Sequence, residues 1–306
     1  MEKHHKPVLL KEVLKFLEVE RGEKYLDATI GEGGHTEAIL KAGGIVLGID
    51  QDPEAIVRTK KRLKLACPDI NRSVDDSPSA SGWKIAQGNF ANLEKIAKEH
   101  GFEKIRGALF DLGIASFQLA EAGRGFSFQA DGPLDMRLDP SLGVTAADLI
   151  NSLSKGNLYE LFKKMADEQL AWPIADALVS ARCLKSIRKT GQLADLIVKV
   201  YRRKNKKTKI HPATKVFQAL RIAVNSELEN LSKGLPGAEK ILKPDGRLVV
   251  ISFHSGEDRI VKNFFKDRAR KGRLRVLTRK PVRPSQDEVE SNPLSRSARL
   301  RAGVKI

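Results

Sequence analysis

The sequence predicts an α/β chain in which a mostly parallel sheet, laid down as alternating strands and helices, is interrupted by an inserted small all-helical domain. Three observations carry this. Apolar runs of strand length lie at 25–30, 45–50, 83–87 and 107–112 with helical periodicity between them, the alternation that builds a parallel sheet. After a Gly-, Asp- and Pro-rich stretch at 123–143, apolar residues recur only at helical spacing, as in Leu158, Leu161, Phe162 and Met165, or Leu193, Leu196, Ile197 and Val200. Strand patterning then resumes at Arg247–Phe253. The boundaries assigned are 1–121 and 212–306 for a discontinuous sheet-bearing domain and 122–211 for the insert; 306 residues suffice for two cores.

Taken in order, Leu10, Val13, Leu14 and Leu17 mark a first helix, and Arg21-Gly22 ends it before the strand Tyr25–Ile30. Gly31-Glu32-Gly33-Gly34 turns the chain into a short helix, His35–Ala42, which Gly43-Gly44 closes. The second strand, Ile45–Asp50, runs into Asp52-Pro53, an N-cap followed by proline at the first helical position, so a helix extends to about Ala66. Residues 68–82, rich in Pro, Ser, Asp and Gly, read as a surface loop. Trp83–Gln87 forms the third strand, Asn92–His100 a helix and Gly107–Leu112 the fourth strand. Beyond the insert, one long helix is predicted from Pro212 through Phe217, Leu220, Val224, Leu228 and Leu231. Lys243-Pro244-Asp245-Gly246 reads as the turn into the next strand, 258–271 as a basic helix, and 274–277 and 298–304 as two last strands.

Charge is distributed unevenly. Lys and Arg total 55 against 38 Asp and Glu, a formal +17, which points to a polyanionic partner. Residues 1–200 hold 28 bases and 28 acids, and 210–258 hold 6 of each. The whole excess therefore lies in 201–209 (YRRKNKKTK, +6) and 259–306 (+11). A Lys/Arg run is often only a solvated face, but two runs carrying all of the excess favour a phosphate-binding surface. Its candidate residues are Arg202, Arg203, Lys204, Lys206 and Lys207, then Arg268, Arg270, Lys271 and Arg273. Aromatic content is only 6%, so broad base stacking is not the expected mode of binding. The two cysteines, Cys67 and Cys183, are too few for a disulfide framework or a cysteine zinc site. With no apolar run near the roughly 20 residues that span a bilayer, and no signal-peptide pattern, a cytoplasmic protein with no membrane partner is expected.

A strand that ends in a glycine turn and opens a helix directs unpaired backbone N–H groups at an anion. Asp50 closes the second strand 19 residues after Gly31, near the ~20-residue spacing at which a carboxylate receives ribose hydroxyls. The pair predicts an adenosine-containing cofactor. The loop lacks the third glycine of a dinucleotide fingerprint, and Glu32 suits a pyrophosphate poorly. S-adenosylmethionine, with one carboxylate and a sulfonium, fits better. His35 lies where a cofactor carboxylate or substrate would sit, and Phe90, after the third strand, is placed to pack an adenine ring.

In open α/β sheets chemistry takes place beyond the carboxyl ends of the strands, which singles out Asp111-Leu112-Gly113. Methylating an exocyclic amine requires its lone pair to face the methyl, and a hydrogen-bond acceptor on its N–H groups assists that. Asp111 is the candidate acceptor, with Ser252 and His254 at the end of the next strand as helpers. The competing structural readings are a cap or a loop-tethering carboxylate for Asp111 and a structural role for His254. No metal-ligand spacing is visible, so no metal is expected.

Several segments together resemble the bacterial RsmH (MraW) family. They are His5-Lys6-Pro7-Val8-Leu9-Leu10, Gly31-Glu32-Gly33-Gly34-His35, Asp111-Leu112-Gly113, Arg124-Gly125-Phe126-Ser127-Phe128, Gly132-Pro133-Leu134-Asp135-Met136-Arg137, His211-Pro212-Ala213-Thr214, Phe217-Gln218-Ala219-Leu220-Arg221, Ile251-Ser252-Phe253-His254-Ser255 and Arg296-Ser297-Ala298. The resemblance implies a class I (Rossmann-like) S-adenosylmethionine methyltransferase sheet with a helical insert that recognises RNA. It implies N4-methylation of a cytosine in 16S rRNA, free or in the small ribosomal subunit, at the decoding centre. It places cofactor contacts on Gly33, Gly34, His35, Asp50, Phe90, Asp111 and Gln118, the last of which no pattern in the sequence singles out. The chain departs from the family at Ile114-Ala115-Ser116-Phe117, where two serines and a proline are usual. Further departures are Met165-Ala166-Asp167-Glu168 for a Tyr-Gly-Glu-Glu element, Gly256 for a leucine and Leu294 for an arginine. Two rival readings are a methyltransferase for a protein or small molecule and a non-catalytic RNA-binding assembly factor. The sequence leaves the oligomeric state open, a homodimer included.

Overall fold

The computed structural model describes residues 6–68 and 82–306. His5 of the first motif, and all but the ends of the surface loop expected at 68–82, lie outside the described residues. The chain divides into two compact units, Met1–Gly113 with Leu228–Ile306, and Ile114–Glu227.

The first unit begins with α1 (Leu10–Leu17), β1 (Lys24–Asp27), α2 (Gly34–Lys41), β2 (Ile45–Asp50), α3 (Pro53–Ala66), β3 (Trp83–Gln87), α4 (Leu93–Glu99) and β4 (Ile105–Asp111). Local chemistry accounts for the agreement with the expected elements. Asp52 accepts the Glu54 N–H at 3.0 Å and Pro53 supplies the helical φ, so α3 starts where the sequence places it.

The second unit is helical: α5 (Ser116–Ala120), α6 (Ala146–Ser152), α7 (Lys155–Ala166), α8 (Ala171–Leu184), α9 (Thr190–Arg203) and α10 (Thr214–Val224). Its core joins Ile150, Leu158, Phe162, Ile174, Leu178, Leu193 and Ile197 to Val216, Phe217 and Leu220 of α10. The compact unit therefore reaches past the 122–211 expected for the insert, because the apolar face of α10 is buried in this core. The Gly- and Pro-rich stretch folds onto itself: Arg124 donates to the Arg137 and Leu138 carbonyls, and Arg137 holds Asp135 at 2.7 Å. The long helix predicted from Pro212 is two helices. Asn225 is buried, where its amide oxygen accepts from Leu138 N and its NH2 donates to the Met136 and Arg221 carbonyls, and Ser226 takes φ +50°. Those bonds fix a break that apolar spacing does not register.

The first unit resumes with α11 (Glu227–Ile241), β5 (Leu242–Ser252), α12 (Ser255–Arg270), β6 (Leu274–Val276), α13 (Gln286–Ser291) and β7 (Arg299–Lys305). The sheet order is β3-β2-β1-β4-β5-β7-β6, with β7 antiparallel to both neighbours and the other pairings parallel. Lys243–Gly246, expected as a turn, instead lies within β5, where the pairing with β4 shifts register between Ile105 and Gly107 and Asp245 takes φ +60°. This is an irregular strand rather than a chain reversal. Leu26, Leu47, Phe110, Leu248 and Val250 line one face of the sheet, and Tyr25, Val46, Leu109, Val249 and Ile251 the other. The carboxyl ends of β1, β2 and β4 are Asp27, Asp50 and Asp111.

Candidate active site

The loop from β1 to α2 is held from below by the protein itself. Gly31 N–H donates to Asp50 Oδ2 at 3.0 Å, Asp52 N–H donates to Asp50 Oδ1 at 3.0 Å, and Thr59 Oγ1 donates to the Gly31 carbonyl at 2.7 Å. Two glycines are required sterically. Gly33 takes φ +76°, and a Cβ there would lie 2.7 Å from Thr59 Cγ2; a Cβ on Gly48 of β2 would lie 2.0 Å from Ile30 Cδ1. Burial raises the Asp50 carboxyl to about 6 against the two N–H donors that pull it back, so it is ionised at neutral pH. A carboxylate offers about four lone-pair positions. Two of them serve the backbone, which leaves acceptor capacity at the rim of the sheet.

Above β1 and β4 the structure assembles a group that sequence reasoning noticed only in part. Asp27 is fully buried, accepts Thr36 Oγ1 at 2.7 Å and Thr29 N–H at 3.3 Å, and has its pKa raised by burial, with nearby His35 opposing the rise. Its place as the last residue of an apolar strand was the available signal. His35 is buried, with Nε2 3.3 Å from Asp111 Oδ2 but without hydrogen-bond alignment. Both ring nitrogens and Asp111 Oδ1 are therefore buried without a bonded partner among the described residues. Thr29 anchors the Asp111 end, its hydroxyl accepting the Asp111 N–H at 2.7 Å. Buried polar atoms are bonded in the great majority of cases; here two on His35, in the first turn of α2, and one on Asp111, at the end of β4, are not.

Phe90 sits in a 3-10 turn, Phe90–Asn92, capped by Asn89, and stands edge-on to Phe110 with centroids 5.6 Å apart. Its ring is partly buried against the core, an apolar shelf beyond β3. The two proposed helpers are placed in supporting roles. His254 Nδ1 accepts from Gly256 N at 3.2 Å and Glu257 N at 3.4 Å, while Glu257 Oε2 accepts from Phe253 N and His254 N. This is a reciprocal cap at the start of α12. Ser252 is buried and donates to the Arg299 carbonyl at 3.3 Å. The sheet thus brings Gly33, Gly34, His35, Asp50 and Asp111 together around the ends of β1, β2 and β4; Ser252 Oγ and His254 Nδ1 are engaged in local structure, while His254 Nε2 lies 3.3 Å from Glu257 Oε1, buried and without a hydrogen-bond partner among the described residues. Gln118, in the helical unit, is buried, and its Oε1 accepts the Ala115 N–H at 2.8 Å in the first turn of α5.

The two basic segments differ. Arg202, Arg203, Lys204, Lys206 and Lys207 end α9 and continue beyond it, all exposed and with no ion pair among the described residues. In the other segment Arg268 donates to Glu239 Oε2 at 2.5 Å and pairs with Asp267 at 2.9 Å. Arg270 and Lys271 also pair with Asp267, and Arg273 Nε lies 2.7 Å from Glu239 Oε1. Glu239 is 1% exposed. These four cations share two carboxylates within the protein.

The family model of the MraW methylase family matches residues 2–306. A ribosomal RNA small subunit methyltransferase H of Thermomicrobium roseum is 47% identical, covering 99% of this chain and 94% of the relative. Its namesakes from Carboxydothermus hydrogenoformans and Syntrophobacter fumaroxidans are 42% and 43% identical, covering 100% and 98% of this chain and 99% and 96% of their own. The chain belongs to the MraW methylase family.

Proposed function

From that membership we propose that the protein transfers a methyl group from S-adenosylmethionine to the N4 amine of a cytosine in 16S rRNA, at the decoding centre of the small ribosomal subunit, in the cytoplasm. The observation that carries this reading is the set of strand-end groups: an ionised Asp50 with spare acceptor capacity beside a glycine loop, and an Asp111 oxygen and His35 ring left without partners. They fit an adenosine-bearing sulfonium. Asp50 would receive ribose hydroxyls, Phe90 would flank the adenine, and Gly33, Gly34 and His35 would approach the amino-acid end. When bound, the cofactor supplies an electrophilic methyl on sulfur.

The protein's contribution is orientation and proton handling. Asp111 Oδ2 faces His35, which leaves Oδ1 to accept an N–H of the target amine. That bond localises the N4 lone pair. Asp111 would also be the group to receive the proton that N4 loses on methylation. His254 and Ser252 enter as positioning groups, since they fix the turn from β5 into α12.

The test is methyl transfer to small subunits and to free 16S rRNA from cells lacking the gene, with the modified base mapped by mass. Methylated N4-cytosine at a single position is expected; a labelled protein or small molecule instead would overturn the reading. Asp111→Asn should lower turnover roughly 100-fold while cofactor affinity stays within about threefold. Equal losses in both would reduce Asp111 to a cofactor contact.

A further inference from the structure

Within the helical unit a cavity of about 100 Å³ opens where α9 ends, lined among others by Tyr201, Lys206, Lys207, Thr208, His211 and Lys215. Among the described residues no acidic one lines it. A space of that size has room for a tetrahedral anion and its hydrogen-bond donors. We propose that this cavity is a phosphate subsite that grips one backbone phosphate of the RNA substrate, which rests on the function proposed above.

Four of the lining side chains are held by the protein itself. Tyr201 is buried and donates its hydroxyl to Glu168 Oε1 at 2.7 Å, so its ring forms a wall and its proton is directed away from the cavity. Glu168 also accepts Leu170 N–H at 2.8 Å and is itself fully buried. Lys215 is anchored at the start of α10 through the Asp167 carbonyl at 2.7 Å, leaving two of its three protons for a ligand. His211 Nδ1 accepts the Ala213 N–H at 3.2 Å, which assigns the ring proton to Nε2, and the ring is stacked on Phe128 with centroids 4.3 Å apart. Thr208 Oγ1 accepts the Ile210 N–H at 3.3 Å, so its own proton is available. The cavity is therefore rich in donors of the kind that phosphate oxygens require.

The simpler reading of a basic run after a helix is that it offsets the negative helix end. Arg202 and Arg203 lie in the last turn and suffice for that. Lys206 and Lys207 lie beyond the helix, and Lys215 belongs to another helix, yet all three line the same cavity. A dipole argument does not bring them there.

The experiment uses the full chain. Binding of a 20-nucleotide RNA hairpin is followed against salt for wild type, Lys207→Ala/Lys215→Ala and the control Lys199→Ala, a lysine on the exposed side of α9 outside the cavity. The double variant should weaken binding roughly tenfold and flatten the log-salt slope by about one, whereas the control changes both little. In parallel, the His211 ring resonances are titrated with inorganic phosphate. Saturable shifts in wild type and Lys199→Ala, lost in the double variant with the fold intact by circular dichroism, support the subsite. Equal effects of control and double variant on RNA, or phosphate shifts that never saturate, overturn it. Because the phosphate titration involves no methyl transfer, its failure is distinguishable from failure of the proposed activity, which would show as intact phosphate binding with no methylated rRNA.

Discussion

The two basic segments hold similar side chains at similar density, but their surroundings differ. After α9 the cations face solvent without an ion pair among the described residues, whereas around α12 they converge on one buried carboxylate and one partly buried one. Glu239 comes from α11, nearly thirty residues before Arg268. Only the fold brings them together. Formal charge in a sequence counts both segments equally; the field that reaches a polyanion does not. The first segment is the better candidate for holding RNA, and Arg268 is a strut between helices that also lies 5.0 Å from the Phe264 ring centroid.

The difference can be broken by substitution. Arg268→Ala should destabilise the protein by about 3 kcal/mol, because a buried carboxylate loses its main partner, while the RNA affinity of folded protein is retained; chemical denaturation read against a binding isotherm decides this. Tyr201→Phe should cost about 2 kcal/mol by removing a buried donor from Glu168, shown by a lowered unfolding midpoint. Neutralising Arg202, Arg203 and Lys204 to Gln should cost about 1 kcal/mol of stability through the helix end and flatten the log-salt slope of RNA binding by roughly two. An unchanged slope would make the run a solvated surface.

A pH profile sharpens the contrast between paired and unpaired charge at the sheet rim. Asp50 has a folded pKa raised to about 6, and hydroxyl donors favour its ionised form. Cofactor affinity should therefore be full above pH 7 and fall about tenfold by pH 5, with Asp50→Asn removing the inflection. Calorimetry at three pH values would show it. The linkage for stability has the opposite sign to that of an ordinary paired carboxylate: a raised acid disfavours the folded state above pH 6, and that penalty fades as pH falls toward the unfolded value.

Much of the fold was legible because local signals and tertiary structure agree. Asp52-Pro53 starts a helix by its own chemistry, and the glycine loop and Asp50 announce each other by spacing. What escaped depended on distant partners. The break at Asn225 is set by bonds to residues 136 and 138, and the persistence of β5 through Lys243–Gly246 is set by its pairing with β4. In the site, Asp27 was hidden inside an apolar run. His254 carried chemistry by residue type but is occupied as a cap. Gln118 had no local signal, since an amide that caps the first turn of a short helix looks in sequence like any exposed glutamine.

The seat of Ile30 over Gly48 bears on redesign. Gly48 and Gly33 are fixed by protein against protein, so randomising either would dislodge the loop from below. Libraries that vary the loop should hold both constant.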